Sequence, residues 1–159
     1  MASGDKRPNP PVELDGSGLR IGVVRAEWNS SVVDRLIAGV RRGLAMTSSS
    51  IVGPLSVPGC FELPLACRAL ALSGKVDAIV ANGVVIRGET THYELVSEAA
   101  ASGIQSVQLE TGIPIAFGVL TVESLEQALE RSEGEGQHNV GEEAVLASVQ
   151  MARLMEAHR

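Results

Sequence analysis

The chain has 159 residues, 45% of them hydrophobic but only 3% aromatic, and a net charge of -6. A chain of this length forms one domain whose core needs no metal or disulfide staple, and with so few rings that core has to be built from Val, Ile, Leu and Ala. The acidic balance, with no basic run, excludes a nucleic-acid surface or a polybasic membrane patch and points to a small-molecule ligand; no window reaches the roughly 20 apolar residues of a membrane span, and the expected location is the cytoplasm.

Residues 1–17, MASGDKRPNPPVELDGS, show no periodicity, carry Pro8, Pro10 and Pro11, and lack the apolar stretch of a signal peptide. They read as a flexible arm before a single domain over 18–159. From Leu19 onward short β-branched runs alternate with stretches of helical spacing. LRIGVVRA (19–26) reads as a strand, followed by a helix whose Val32, Val33, Leu36, Ile37, Val40 and Leu44 share one face. SIVGPLSV (50–57) is a second strand in which Pro54 implies a sheet edge or a bulge, and a helix follows from Phe61 to Leu72. The third strand is VDAIVANG (76–83), which leads through VVIRG into a helix from about Thr91 to Ser102. A short strand at 104–109 is possible before the fourth strand, IPIAFGVLT (113–121), and helices follow near 123–132 and 140–157.

Alternation with connections this short predicts an α/β three-layer sandwich, with a four-stranded, mainly parallel sheet flanked by helices on both faces. Ligands in such folds bind beyond the carboxyl ends of the strands. There the sequence places Glu27-Trp28-Asn29 after strand one, Pro58-Gly59-Cys60-Phe61-Glu62 after strand two and Arg87-Gly88-Glu89-Thr90-Thr91-His92 after strand three, with Phe117-Gly118 closing strand four. Three of the few aromatics thus fall on one edge, as a flat, stackable ligand requires.

Two readings fit the Gly88-Glu89-Thr90 turn. Free N–H groups at a helix start form an anion site suited to phosphate, whereas Thr91 and Glu94 also match a capping box that satisfies those groups without a ligand. His92, in the first turn, is the acid/base candidate, since imidazole titrates near neutral pH. Glu62 is either a hook for hydroxyls or a helix N-terminal acid, with Gly59 permitting an unusual turn before it. Arg131, after ESLEQALE, is either a bidentate phosphate ligand or an exposed helix-end residue. The chain has 3 His and 2 Cys, in no metal-ligating or CxxC spacing, so neither a metal nor a disulfide is expected.

These segments resemble the 6,7-dimethyl-8-ribityllumazine synthase family of riboflavin biosynthesis. VPGCFELP (57–64), GVVIRGETTHYELV (83–96), IPIAFGVLT (113–121) and EQALER (126–131) occur in the family's order and spacing. The resemblance implies a flavodoxin-like fold and a condensation of 5-amino-6-(D-ribitylamino)uracil with 3,4-dihydroxy-2-butanone 4-phosphate that releases phosphate and water and uses no metal or organic cofactor. It assigns Trp28 to stacking on the pyrimidine, Gly59-Cys60-Phe61-Glu62 to the ribityl chain, and Val84, Val85 and Ile86 to the pocket wall. Gly88, Glu89 and Thr90 become the phosphate loop and His92 the proton-transfer residue. Phe117 and Arg131 come from a neighbouring subunit, with Arg131 on the phosphate.

One segment departs from the resemblance. Many members carry lysines after the Arg, whereas this chain reads SEGEGQHNVGEEA and has Val140 where a Lys is common, which leaves Arg131 as the main cation for the phosphate. That longer acidic turn and the Pro-rich arm favour a homopentamer over an icosahedral shell of twelve pentamers.

Overall fold

A computed structural model describes residues 14–159. The elements in chain order are β1 (Arg20–Ala26), α1 (Ser30–Thr47), β2 (Ser50–Val57), a 3-10 turn (Cys60–Glu62), α2 (Leu63–Ala71), β3 (Ala78–Ile86), α3 (His92–Thr111), β4 (Ile115–Val122), α4 (Leu125–Glu130) and α5 (Val140–Ala157). Among the described residues the four strands form one parallel sheet in the order β2-β1-β3-β4.

Side chains alternate along a strand, so each face of the sheet needs its own cover. Ile21, Val23, Ala78, Val80 and Val84 pack under α1 and α5, together with Leu36, Val40, Val145 and Val149. Val24, Ala26, Ile79, Ala81 and Val85 pack under α2 and α3, together with Leu63, Cys67, Ala100 and Ile104. Central β3 is buried on both sides and therefore reads as an apolar run, interrupted by Asn82, whose Nδ2 donates to Gly118 O at 3.2 Å. The chain leaves β1 toward β2 on one face and leaves β3 toward β4 on the other. The order therefore reverses between β1 and β3, and a crevice opens at their carboxyl ends.

The α1/α5 contact is unusually close. A Cβ on Gly141 would sit 2.1 Å from the Leu36 carbonyl oxygen, and one on Gly39 would sit 2.0 Å from Asn139 Oδ1. Asn139 is the N-cap of α5: its Oδ1 accepts from Glu142 N at 3.1 Å, while its Nδ2 donates to the carbonyls of Arg35 (3.1 Å) and Glu133 (2.9 Å).

β2 is both an edge strand and bulged. One additional residue is accommodated opposite the Gly22–Val24 interval, at a cis Gly53-Pro54 peptide where Gly53 takes φ 105°. Two expectations need correction. Residues 104–109 are not a strand: α3 continues through them to Thr111 because Ala100, Ile104 and Val107 keep helical spacing and face the core, and it stops at Gly112 with φ 71°. Gly103 does not break the helix; it lets Pro64 of α2 approach to 2.7 Å of where a Cβ would stand. β3 in turn runs on through Val84, Val85 and Ile86, which pair with Leu120, Thr121 and Val122.

Of the N-terminal arm, residues 1–13 lie outside the described residues. Leu14 packs against the core, Gly16 N donates to Thr47 O at 2.6 Å, and the Arg153 guanidinium donates to the carbonyls of Asp15 and Ser17.

Candidate active site

The crevice between β1 and β3 holds a cavity of about 460 Å³ lined by Ala26, Trp28, Asn29, the Gly59–Glu62 turn, Val84, Val85, Ile86, His92, Leu95 and Val96. Its walls are the carboxyl ends of β1 and β3, the turn that follows β2 and the first turns of α3. The loops after β1 and β2 are tied together, with Glu27 N donating to Val57 O at 2.8 Å and Trp28 N to Pro58 O at 3.1 Å. Asn29, at the N-cap position of α1, takes the left-handed conformation (φ 62°) that Asn tolerates; its side chain makes no cap bond, and its Nδ2 instead donates to Val84 O at 3.5 Å.

Trp28 is 62% exposed and Phe61 63%, so both rings present open surface at the mouth. Gly59 matters here for a reason other than the one expected. Its backbone is extended (φ -145°), which any residue adopts, but a Cβ on it would meet the Trp28 ring at 2.5 Å. Glycine is what lets the indole lie over this turn. Glu62 serves as the helix-start acid, its Oε2 accepting from Gly59 N at 3.1 Å, while the same residue lines the cavity.

Cys60 sits behind this surface, buried, against Gly83, where a Cβ would come within 2.5 Å of its sulfur. Burial pushes its thiol up to about 12, the nearby Glu62 charge acts in the same direction, and a backbone hydrogen bond at Val84 only partly offsets them. At neutral pH Cys60 is a neutral wall residue and not a thiolate nucleophile. Cys67 is likewise buried and free.

The third wall starts where β3 ends. Arg87 N continues the β3/β4 ladder by donating to Val122 O at 2.9 Å. Gly88, Glu89 and Thr90 are exposed, beside the cavity rather than lining it. Thr90 Oγ1 accepts from His92 N at 3.3 Å. The capping box, one of the two readings of this turn, does not form: among the described residues no side-chain cap bond is made by Thr91, the N-cap of α3, and Glu94 turns instead to Arg87. His92, Leu95 and Val96 then share one helical face toward the cavity, at the i, i+3, i+4 spacing.

Two expected site residues lie elsewhere. Phe117 does not close β4. It is the third residue of a strand that runs from Ile115 to Val122, it pairs with Ala81 and is 38% exposed, and it lies off the cavity lining. The strand begins later and ends later than its apolar run suggests, which moves Phe117 away from the carboxyl edge. Arg131 ends α4, where its Nη1 donates to Gln127 O at 2.9 Å and lies 3.6 Å from Glu130 Oε2, also off the lining. Val140 is buried against α1 in the core, and its N–H donates to Arg131 O at 2.9 Å.

A family model described as 6,7-dimethyl-8-ribityllumazine synthase matches residues 18–156. The chain belongs to the 6,7-dimethyl-8-ribityllumazine synthase family. It is similar to the synthase of that name from Kineococcus radiotolerans, with 48% identity over 143 residues covering 89% of this chain and 88% of that one. It is also similar to the one from Kocuria rhizophila, with 46% identity over 140 residues covering 87% and 88%. The cavity combines nine of the site residues expected from the sequence, Trp28, Gly59, Cys60, Phe61, Glu62, Val84, Val85, Ile86 and His92, with Asn29, which the sequence placed at this edge without a role, and with Ala26, Leu95 and Val96, which it did not single out. Leu95 and Val96 were accessible from the helical spacing after His92. Ala26 has no distinguishing chemistry of its own, and the bond from Asn29 Nδ2 to Val84 O joins residues 55 positions apart, which leaves no local signature. No helix among the described residues is long and apolar enough to cross a membrane.

Proposed function

We propose that this chain forms 6,7-dimethyl-8-ribityllumazine by condensing 5-amino-6-(D-ribitylamino)uracil with 3,4-dihydroxy-2-butanone 4-phosphate in the cavity described above, releasing phosphate and water. The observation that carries this reading is the convergence of Trp28, the Gly59–Glu62 turn, the end of β3 and His92 on one cavity at the sheet's reversal point. The indole of Trp28 stacks on the pyrimidine, the turn receives the ribityl hydroxyls, and Val84, Val85 and Ile86 form the pyrimidine wall.

The phosphate lies at Gly88-Glu89-Thr90, where the start of α3 is free of a capping box and its N–H groups and dipole favour an anion. Attack of the pyrimidine's amine on the ketone, loss of water to give an imine, expulsion of phosphate, and closure of the ribitylamino nitrogen onto the carbonyl that results, with loss of a second water, each move a proton. His92 carries those protons, and holding the two substrates in reacting geometry supplies much of the remaining acceleration. Arg131 and Phe117 act in the site of a neighbouring copy, Arg131 on the phosphate. The working assembly is a homopentamer in the cytoplasm.

The test is turnover of the two substrates. His92→Ala is expected to lower kcat by about 10²–10⁴-fold while the oligomer mass by light scattering stays the same. Full turnover in that variant removes His92 from the chemistry, and absence of product with the wild-type chain removes the proposed reaction itself.

A further inference from the structure

We infer that Arg87 is the positioning residue for His92, holding the start of α3 at the cavity by a bridge to the segment beyond β4. The inference rests on the reading of His92 as the proton carrier. Arg87 does not line the cavity. Its guanidinium is the hub of a cluster: Nη1 bonds the Glu94 carboxylate, Nε lies 2.8 Å from Glu123 Oε2, and the planar group stacks 4.2 Å from the centre of the Tyr93 ring. Tyr93 and Glu94 are the two residues that follow His92. The side chain thus grips the helix turn that presents the imidazole.

That turn needs an outside support. Among the described residues, Thr91 makes no side-chain cap bond, and His92 N donates only to Thr90 Oγ1 in the same exposed loop. Arg87 itself stands on firm ground, because its backbone extends the β3/β4 ladder at Val122. Glu123 is held in turn by the start of α4, where its N–H donates to Gln127 Oε1 at 2.7 Å. The hydrogen bond from Arg87 holds the Glu94 carboxyl below its ordinary range, so both partners stay charged through neutral pH. One exposed ion pair orders little. Two carboxylates and a ring around a single rigid fork fix a direction, which a lysine cannot do.

The test compares steady-state kinetics of the assembled enzyme as wild type, Arg87→Met, Arg87→Lys and His92→Ala, and as the Arg87→Met/His92→Ala double variant. Arg87→Met is expected to lower kcat by about 10-fold, with KM for both substrates changed by less than about 2-fold, because misplacing a catalytic group slows chemistry without weakening binding. Arg87→Lys recovers only part of that loss. In the His92→Ala background the same Met substitution is expected to cost less than about 2-fold, since a residue acting through His92 has nothing left to position. Unchanged kcat in Arg87→Met, or an equal loss in both backgrounds, overturns the inference. Full turnover in His92→Ala overturns the reading beneath it, and that is a separate observation. Should Arg87→Met fail to fold, Glu123→Gln cuts only the anchor beyond β4. It is expected to lower kcat alone, again with no further loss on top of His92→Ala, and unchanged kcat there overturns the inference.

Discussion

Among single residues, Gly59 separates a backbone requirement from a contact requirement. Its φ of -145° is open to alanine, so Gly59→Ala leaves the turn intact and changes stability by less than about 1 kcal/mol. The new methyl would stand 2.5 Å from the Trp28 ring, and since that ring is 62% exposed it can swing away. The expected outcome is a KM for the pyrimidine raised about 5-fold, the equivalent of about 1 kcal/mol of lost stacking, together with a shifted emission from Trp28, the chain's single tryptophan. Unchanged KM and emission would remove Trp28 from the binding role. The sequence already marked Trp28, Gly59 and His92, because rare aromatics, glycines and a histidine stand out at strand ends. It misread why Gly59 is glycine, since a contact with a residue 31 positions away leaves no local signature.

At the level of elements, strand and helix existence was legible from periodicity, whereas their ends were not. The sequence reading ends α3 near Ser102 and allows a short strand at 104–109. The helix continues because Ile104 and Val107 find a core to bury in and Pro64 packs onto Gly103. The segment around Asn139 gains a physical account in the same way. Its side chain joins three elements, capping α5 while donating to carbonyls of α1 and of the α4–α5 turn, and Gly39 and Gly141 leave room for it and for the close helix approach. Val140 beside it fills the core, so its apolar character is a packing matter. Asn139→Ala removes the α5 cap together with the side-chain bonds to the Arg35 and Glu133 carbonyls, the latter keeping its bond from Arg42 Nη2 at 3.1 Å, and is expected to cost about 2–3 kcal/mol. Ser124→Ala removes a single cap bond, to Gln127 N at the start of the short α4, and is expected to cost about 1 kcal/mol or less. Urea midpoints at one fixed protein concentration compare the two. The reverse ranking would mean that the α1/α5 junction does not depend on Asn139.

For the whole molecule, the cavity collects the aromatic, the turn and the imidazole but leaves Phe117 and Arg131 on other surfaces. No pattern within one chain distinguishes a residue that serves its own cavity from one that serves a neighbour's, because the neighbour is not written in the chain's own periodicity or spacing. The proposed shared site makes the distinction measurable. If His92 and Arg131 of different copies meet, each interface of a closed ring needs one intact residue from each side, and closed rings repeat that interface identically. His92→Ala and Arg131→Ala, each inactive or nearly so alone, are unfolded together in equal amounts and refolded as mixed rings. Random mixing pairs an intact His92 with an intact Arg131 at about a quarter of interfaces, so the mixture is expected to regain about that fraction of wild-type turnover. Were both residues to act within one chain, every site would carry a defect and mixing would restore nothing. Recovery that rises with the fraction of mixed rings, followed by mass, then assigns Arg131 to the neighbour's site; flat activity across all mixing ratios returns it to its own.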